Sequence, residues 1–447
     1  MDTTSNSSRP LLIIGAGIAG LILAQACRKH NLPYALFERD ASPHARSAGW
    51  GLTLHWSYAT LRSLLPEDIL LLLPQTYVNK VAVERGEIGS FAFFDLSTGE
   101  SRWRVPLPMG GERIRVSRER LRSLLHQGLE MEWGKTLVGV KKGHDGVVAV
   151  FNDATEVEGC MVVGCDGARS QVRRLCHGDD SHNSQLPVRF IGAGARYPET
   201  SIAEIRKLDP FFLQGSDPRT NAFLWFSFLN TPSDPGSIST EADEHTVDSE
   251  ASTGKLYRCQ IMTSWPYRPG FLDCAEPVEV PESKVDQLKW MKKLAEDWVE
   301  PFRSLVQGIS EDSEVKPIDL ADWLPRSTAA TPLGQECGGR IALVGDAGHA
   351  MVMYRGEGAN HAIVDVGRLF ELVKPLMDGR SPSDNGAWQT AIEEYEREMI
   401  ERSSTGVKAS RQACLDAHDW SRLNDESPLV KRRVMREDLE AAPQPQH

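Results

Sequence analysis

The feature that most constrains this chain is a glycine run set between a strand and a helix. A short apolar run, Leu11–Ile14, meets Gly15-Ala16-Gly17-Ile18-Ala19-Gly20. A helix-forming stretch, Leu21–Lys29, follows, and a second strand-like run, Tyr34–Phe37, ends in Glu38-Arg39. That order predicts a βαβ unit with parallel strands and the glycines at its first turn. Gly15 permits a tight turn, Gly17 lets the backbone approach a pyrophosphate, and Gly20 allows close helix–strand packing. The helix N-terminus offers free N–H groups and a positive dipole end to the phosphates. Glu38, at the end of the second strand, is placed where a carboxylate accepts the ribose hydroxyls of an adenosine.

Composition narrows the class further. The chain has 447 residues, 40% hydrophobic and 25% charged, which is ordinary for a globular protein and leaves room for about two or three domains. Acidic residues number 62 against 50 basic ones, a formal net charge of −12, which argues against nucleic acid as a partner. The eight cysteines form no CxxC pair and no Cys/His group with zinc spacing, so no metal site is expected and free thiols in a reducing compartment are predicted. The polar N-terminus predicts no secretory signal, an unmodified Asn6-Ser7-Ser8 sequon and a cytoplasmic location. Apolar runs such as Ile69–Leu73 reach only five residues, far short of the ~20 residues of a membrane-spanning helix.

Periodicity supplies the remaining elements. Ser90–Trp103 reads as a β-meander, Val116–Leu129 as a helix, Val138–Val150 as a hairpin turning near Asp145-Gly146, and Met161–Gly164 as a buried strand. Longer, aromatic-rich strands follow at Val188–Tyr197, Ala222–Leu229 and Leu256–Trp265, with an amphipathic helix over Asp286–Trp298. Another buried strand, Arg340–Gly345, precedes helices at Ala359–Met377 and Trp388–Ala417. Thr231–Gly254, almost without apolar residues, is expected to be a mobile surface loop, and the tail beyond Ser427 to fray. Phe223, Trp225, Phe226, Phe228, Tyr257 and Trp265 alternate along two strands, so a period of two sends one set to each face of a sheet.

The glycine fingerprint suits NAD and FAD alike. A second constellation separates them. Gly345-Asp346 closes a strand, and Gly356-Glu357-Gly358-Ala359-Asn360 opens a helix. An Asp there can hydrogen-bond a ribitol hydroxyl, and the helix N-terminus can aim N–H groups at the N1/C2-carbonyl edge of an isoalloxazine, which becomes anionic on reduction.

With these motifs in order, the chain resembles the group A FAD-dependent monooxygenases related to para-hydroxybenzoate and salicylate hydroxylases, and in particular the fungal type that modifies secondary metabolites. Cys165-Asp166-Gly167-Ala168-Arg169-Ser170 with Val172-Arg173 matches the family's Asp-Gly motif, associated with both FAD and the nicotinamide. Arg340 through Asn360 matches its Gly-Asp motif. Arg118 with Leu121 fits the helix Arg that reaches FAD, and Gly49-Trp50-Gly51-Leu52 fits the loop along the flavin's moving side. Three positions depart from the family's usual run: Gly348 for Ala, Met353 where Pro is usual, and Glu357 for Gln; in relatives the backbone at that Pro borders the site of oxygen transfer.

The resemblance implies an α/β (α+β) fold: a Rossmann-like FAD-binding domain in two segments (1–185 and 331–385), an inserted mixed β-sheet substrate domain (186–330), and a C-terminal helical segment and tail (386–447). It implies bound FAD with NADPH or NADH as transient reductant. A C4a-hydroperoxyflavin would deliver one oxygen from O2 to a small aromatic (phenolic) or polycyclic substrate. Cofactor contacts are expected from Gly15, Gly17, Gly20, Glu38, Arg39, Gly51, Arg118, Asp166, Asp346, Gly356, Gly358, Ala359 and Asn360. Candidate catalytic residues are Arg196, to stabilise a phenolate, and His55, for proton transfer. The rivals are epoxidation of a non-aromatic substrate and a non-enzymatic binding protein of the same fold, like the GDP-dissociation inhibitors. A flavin-dependent halogenase would need a Trp-x-Trp-x-Ile-Pro motif that the sequence lacks.

Overall fold

Four fully buried aliphatic side chains, Leu11–Ile14, form the centre of a parallel sheet, the position where a short, unalternating apolar strand belongs. The computed structural model describes residues 9–43, 50–87, 89–104, 113–234, 256–378 and 385–431. The strand order is Ile341–Leu343, Met161–Gly164, Leu11–Ile14, Tyr34–Glu38, Glu132–Trp133, every pair parallel. The helices Ile18–Lys29 and Gly358–Met377 pack together beside it. Their apolar faces join the sheet in one core with Leu21, Ile22, Ile363, Val366 and Leu369. The C-terminal helix, Asn385–Ala417, closes the same core through Trp388, Ile392 and Tyr395.

A second, seven-stranded sheet carries the long aromatic strands. Val188–Pro198 pairs antiparallel with Leu256–Pro266, which pairs with Phe223–Asn230 and then Phe212–Ser216. Phe93–Asp95, read as part of a separate meander, pairs parallel with Phe212–Ser216, so the hairpin to Trp103 completes this sheet from an earlier stretch of chain. One face packs under the helices Glu199–Leu208 and Lys284–Leu294 through Tyr197, Phe226, Phe228, Tyr257 and Trp265. The other face turns toward the Rossmann sheet.

Three expectations need correction. The helix expected over Val116–Leu129 is shorter: Ile114–Ser117 is a buried strand antiparallel to Gly51–Leu54, and the helix runs Arg118–Leu125. Ser117 is its N-cap, its hydroxyl accepting from the Arg120 amide at 3.4 Å, so the strand ends where the cap begins. Residues just past Ser427 do not fray: Leu429 and Val430 are buried. The loop expected over Thr231–Gly254 begins with a fixed turn, because buried Asp234 accepts from the amides of Asn79, Lys80 and Thr231; residues 235–254 lie outside the described residues.

Candidate active site

The carboxyl ends of the parallel strands and the free face of the large sheet enclose a cleft of about 420 Å³, within the range of small-molecule and cofactor sites. Its floor at one end is bare backbone. Gly15 turns at φ +106°, and a Cβ there would lie 2.6 Å from the Cys165 carbonyl oxygen. A Cβ on Gly20 would meet the Gly15 carbonyl oxygen at 2.0 Å, so only glycine lets the helix start this close to the strand. Gly17 caps that helix without a side-chain hydrogen bond, leaving first-turn N–H groups facing the cleft. Glu38 is buried at the strand end, accepting from the amides of Ala16 (2.8 Å) and Asp40 (3.0 Å). Exposed Arg39 follows on the cleft rim.

A second helix start faces the same space. Gly356 takes φ +67°, and Gly358–Met377 begins behind it, with Glu357 making no side-chain cap. Gly345, at φ +63°, donates its N–H to Asp365 Oδ2 at 2.8 Å, which is also 2.6 Å from His349 Nε2. Asp365 Oδ1 accepts from Arg402 Nη2 at 2.6 Å. Burial alone would raise the Asp365 carboxyl, but the charges of His349 and Arg402 outweigh it and hold the group below its usual range. This buried network anchors the turn that presents Asp346. The Asp346 side chain is open to the cleft yet enclosed by protein mass, and desolvation raises its carboxyl despite opposing His349, Arg118 and Arg173.

Asp166 uses Oδ2 to accept from the amides of Gln171 (2.6 Å) and Val172 (3.2 Å), starting the helix Gln171–His177. Its Oδ1 is buried with no partner among the described residues, on the cleft wall, and burial raises this carboxyl too. Two uncapped helix starts, an orphaned acceptor and glycines that admit close approach make a set that fits a dinucleotide-linked flavin.

The large sheet provides the opposite wall. Phe190, Phe223, Trp225, Gln260 and Met262 line the cleft, while Phe226, Phe228, Tyr257 and Trp265 face the helix-covered core. The Trp50 ring lies on this sheet, 3.0 Å from where a Gly192 Cβ would stand. Gly51 beside it leaves room for Arg115: a Cβ would sit 2.4 Å from that guanidinium. Tyr354 enters from the turn before Gly356, and its hydroxyl donates to Ser264 Oγ at 2.9 Å. Ser264 Oγ is in turn 2.9 Å from His418 Nε2.

Of the sequence candidates, Gly15, Gly17, Glu38, Arg39, Gly51, Arg118, Asp166, Asp346, Gly356, Gly358 and Ala359 line this one cleft. Gly20 stands behind it in a packing role. Asn360 does not face it; its amide donates to the Thr53 carbonyl (2.9 Å) and accepts from the His55 N–H (3.0 Å) and Ser57 Oγ (2.8 Å), bolting the helix to the neighbouring strand. Arg196 is not in the cleft wall: it is exposed near the far end of its strand, opposite Arg258. Tyr197 points the other way, into the core, donating to the Leu305 carbonyl. His55 is also absent from the cleft lining, edge-on to Trp56 at 5.8 Å. Missed in the sequence were Arg115, hidden by the misplaced helix start, and the Tyr354–Ser264–His418 chain, whose members come from three distant segments. An Arg set between two β-branched apolar residues, Ile114-Arg115-Val116, just before a Ser N-cap was the signal the sequence offered for the first.

Comparison with known proteins decides the family. The NAD(P)-binding Rossmann-like domain family matches residues 13–53. A probable FAD-dependent monooxygenase of Arthroderma benhamiae is 45% identical over 443 residues, covering 97% of this chain and 98% of its own. The chain belongs to the FAD-dependent monooxygenases. Another member, dbaB of Emericella nidulans, is 35% identical over 372 residues, covering 82% and 87% of the two chains. Among solved structures, 2,6-dihydroxypyridine-3-hydroxylase from Arthrobacter nicotinovorans matches with a TM-score of 0.66 at 17% identity over 95% of this chain and 97% of its own. Klebsiella pneumoniae HpxO, complexed with FAD and uric acid, matches at 0.65 with 18% identity, covering 93% and 91%; at these identities the fold is what is shared. The monooxygenase is therefore an oxidoreductase with FAD as cofactor and a nicotinamide as reductant.

Proposed function

We propose that this enzyme hydroxylates a small, planar, largely apolar aromatic molecule, a phenol or polycycle, in a cytoplasmic setting. The observation that carries the reading is the continuity of the cleft: the phosphate-type glycine floor and the aromatic sheet wall line one space. Gly15, Gly17 and the first turn of the helix Ile18–Lys29 would hold the pyrophosphate, and Glu38 the ribose, with Arg39 at the rim. Asp346 would take the ribitol, Asp166 Oδ1 a further donor, and Gly356, Gly358 and Ala359 the edge of the ring system, with Gly51 and Arg118 along its other side. Bound there, the flavin supplies two-electron reduction by the nicotinamide and activation of O2.

The chain's own part is positioning and exclusion. Trp50, Trp225, Phe223, Phe190 and Met262 give the reacting ring apolar faces and keep out the water that would divert oxygen to hydrogen peroxide. The four-part division of the chain enters the proposal with residues 93–103 assigned to the substrate sheet. A reducing location is supported by eight free thiols, and no helix among the described residues is long and apolar enough to cross a membrane.

The test is to add NADPH and a panel of phenols, naphthols and non-aromatic alkenes to the purified yellow protein. Some ring compound should accelerate NADPH oxidation and return a product with one added oxygen. Oxidation accelerated only by non-aromatic alkenes, with epoxide products, would refute the aromatic assignment.

A further inference from the structure

Arg115 stands in the middle of the strand Ile114–Ser117, the residue 6% exposed, on the cleft wall. Nη1 donates to Thr53 Oγ1 at 2.8 Å and Nη2 to Ser227 Oγ at 2.6 Å, and the guanidinium lies 5.0 Å from the Phe212 ring. Both direct partners are neutral. Nε is buried without a partner among the described residues, and no carboxylate among them forms an ion pair with this group. The acid that acts on it from a distance, Asp209, already accepts from the amide and hydroxyl of Ser90 and from the amides of Phe211 and Phe212.

The neighbourhood makes matters worse for a lone cation. Arg113, two residues away, adds a second guanidinium, and its buried Nη2 also lacks a partner among the described residues. Burial, then Arg113, push Arg115 down to about 9, so it is still charged at neutral pH. A buried cation without a counterion is costly, and such sites recur where a ligand supplies the missing charge. The cleft-lining hydroxyl of Thr53, accepting from Arg115, keeps its own O–H without an acceptor among the described residues. Ser227, by contrast, donates to the Phe228 carbonyl at 2.9 Å. Gln260, opposite Ser227 in the sheet register, adds a polar side chain at the same end of the cleft. The rest of that wall is Trp225, Met262 and Trp50.

We propose that Arg115 with Thr53 is an anion anchor, so the substrate is a planar apolar molecule carrying an ionised oxygen group, a carboxylate or phenolate, at the end that enters between the two strands. This rests on the reading of the cleft as the oxygenation site. The anion supplies the counter-charge the chain lacks and accepts the idle Thr53 proton, while the ring lies along Trp225 and Met262. The anchor selects the substrate and sets its orientation; it takes no part in electron transfer.

The test uses the FAD-loaded enzyme and two pairs of probes: 2-naphthoic acid with its methyl ester, and 1,3-dihydroxynaphthalene with its dimethyl ether. Binding is read from perturbation of the flavin absorbance and from the shift in melting temperature. The wild type should bind the ionisable member of at least one pair tenfold or more tightly than its neutral partner, and which pair does so separates carboxylate from phenolate. Arg115→Gln should bring that preference to within about twofold, and Thr53→Val should reduce it several-fold, each with the FAD content unchanged. No preference within either pair, or a preference that survives Arg115→Gln, overturns the proposal. If Arg115→Gln does not fold, an unchanged preference in Thr53→Val overturns it. Failure of the oxygenation reading looks different: the ionised probes bind selectively, yet no probe accelerates NADPH oxidation or gains oxygen.

Discussion

Acid should loosen one wall of the cleft through a single histidine. His418 is buried, with Nδ1 2.6 Å from the Cys414 carbonyl oxygen and Nε2 2.9 Å from Ser264 Oγ. A carbonyl can only accept, so Nδ1 carries the proton and Nε2 accepts from the Ser264 hydroxyl. Burial pushes the imidazole from 6.5 down to about 4. The sign follows directly: the unfolded chain binds this proton first, so the stability held at pH 7 is lost as pH falls from about 6.5 toward about 4. A difference of about 2.5 pH units at 1.36 kcal/mol each, integrated from pH 7 to pH 4, comes to about 3 kcal/mol. His418→Gln cannot take up the proton. It should be less stable than wild type at pH 7 by about 1–2 kcal/mol for imperfect hydrogen bonds, and should overtake wild type between about pH 6 and about pH 5. Urea unfolding followed by tryptophan fluorescence at pH 7, 6, 5 and 4 measures the gap. Parallel pH profiles for the two proteins would refute both the tautomer and the neutral state of His418.

Two further outcomes follow from packing. Gly20→Ala should abolish FAD retention, read as the 450/280 nm absorbance ratio, because its Cβ meets backbone at 2.0 Å; Gly86→Ala, at φ +74° with nothing within 4 Å, should cost about 1–2 kcal/mol of strain and leave the flavin in place. Glu357→Gln, which restores the family's residue, should nonetheless destabilise by about 1–3 kcal/mol in thermal unfolding, since Glu357 is buried and accepts a charge-assisted hydrogen bond from Arg355 Nε at 2.5 Å.

The flavin half of the site was legible because its chemistry is written locally. Close approach of backbone to backbone or of helix to strand, and positive φ, favour glycine, and Gly15, Gly20 and Gly345 announce the first and Gly356 the second. Strand ends then follow from short apolar runs, and Glu38 and Asp346 from standing at them. The substrate half is assembled from distant segments, and no local signal says which. Thr53, Arg115 and Ser227 meet only because three strands from different parts of the chain converge. A period of two showed that Arg196 and Tyr197 oppose one another, but both lie beyond the stretch of strand that faces the cleft. Asn360 was read by its place in a motif; its amide is consumed in holding Thr53, His55 and Ser57 together.

Two of the three departures from the family's usual run, Met353 and Glu357, resolve into one junction. Met353, Tyr354 and Arg355 form a single short turn, and their side chains go to different places. Met353 lines the cleft, Tyr354 reaches the substrate sheet at Ser264, and Arg355 pairs with Glu357 and donates to the Pro428 carbonyl. Tyr354 also packs against His418, with ring centroids 5.6 Å apart. A Pro at position 353 would remove side-chain bulk from the cleft, and a Gln at 357 would take the negative charge away from the Arg355 contact. The substitutions thus belong together: Glu357 answers Arg355, and Arg355 ties the turn to the C-terminal segment that also supplies His418. The Met353–Tyr354 end of the cleft is therefore held by contacts to residues past 410, whereas the opposite end is closed by glycine backbone before residue 21.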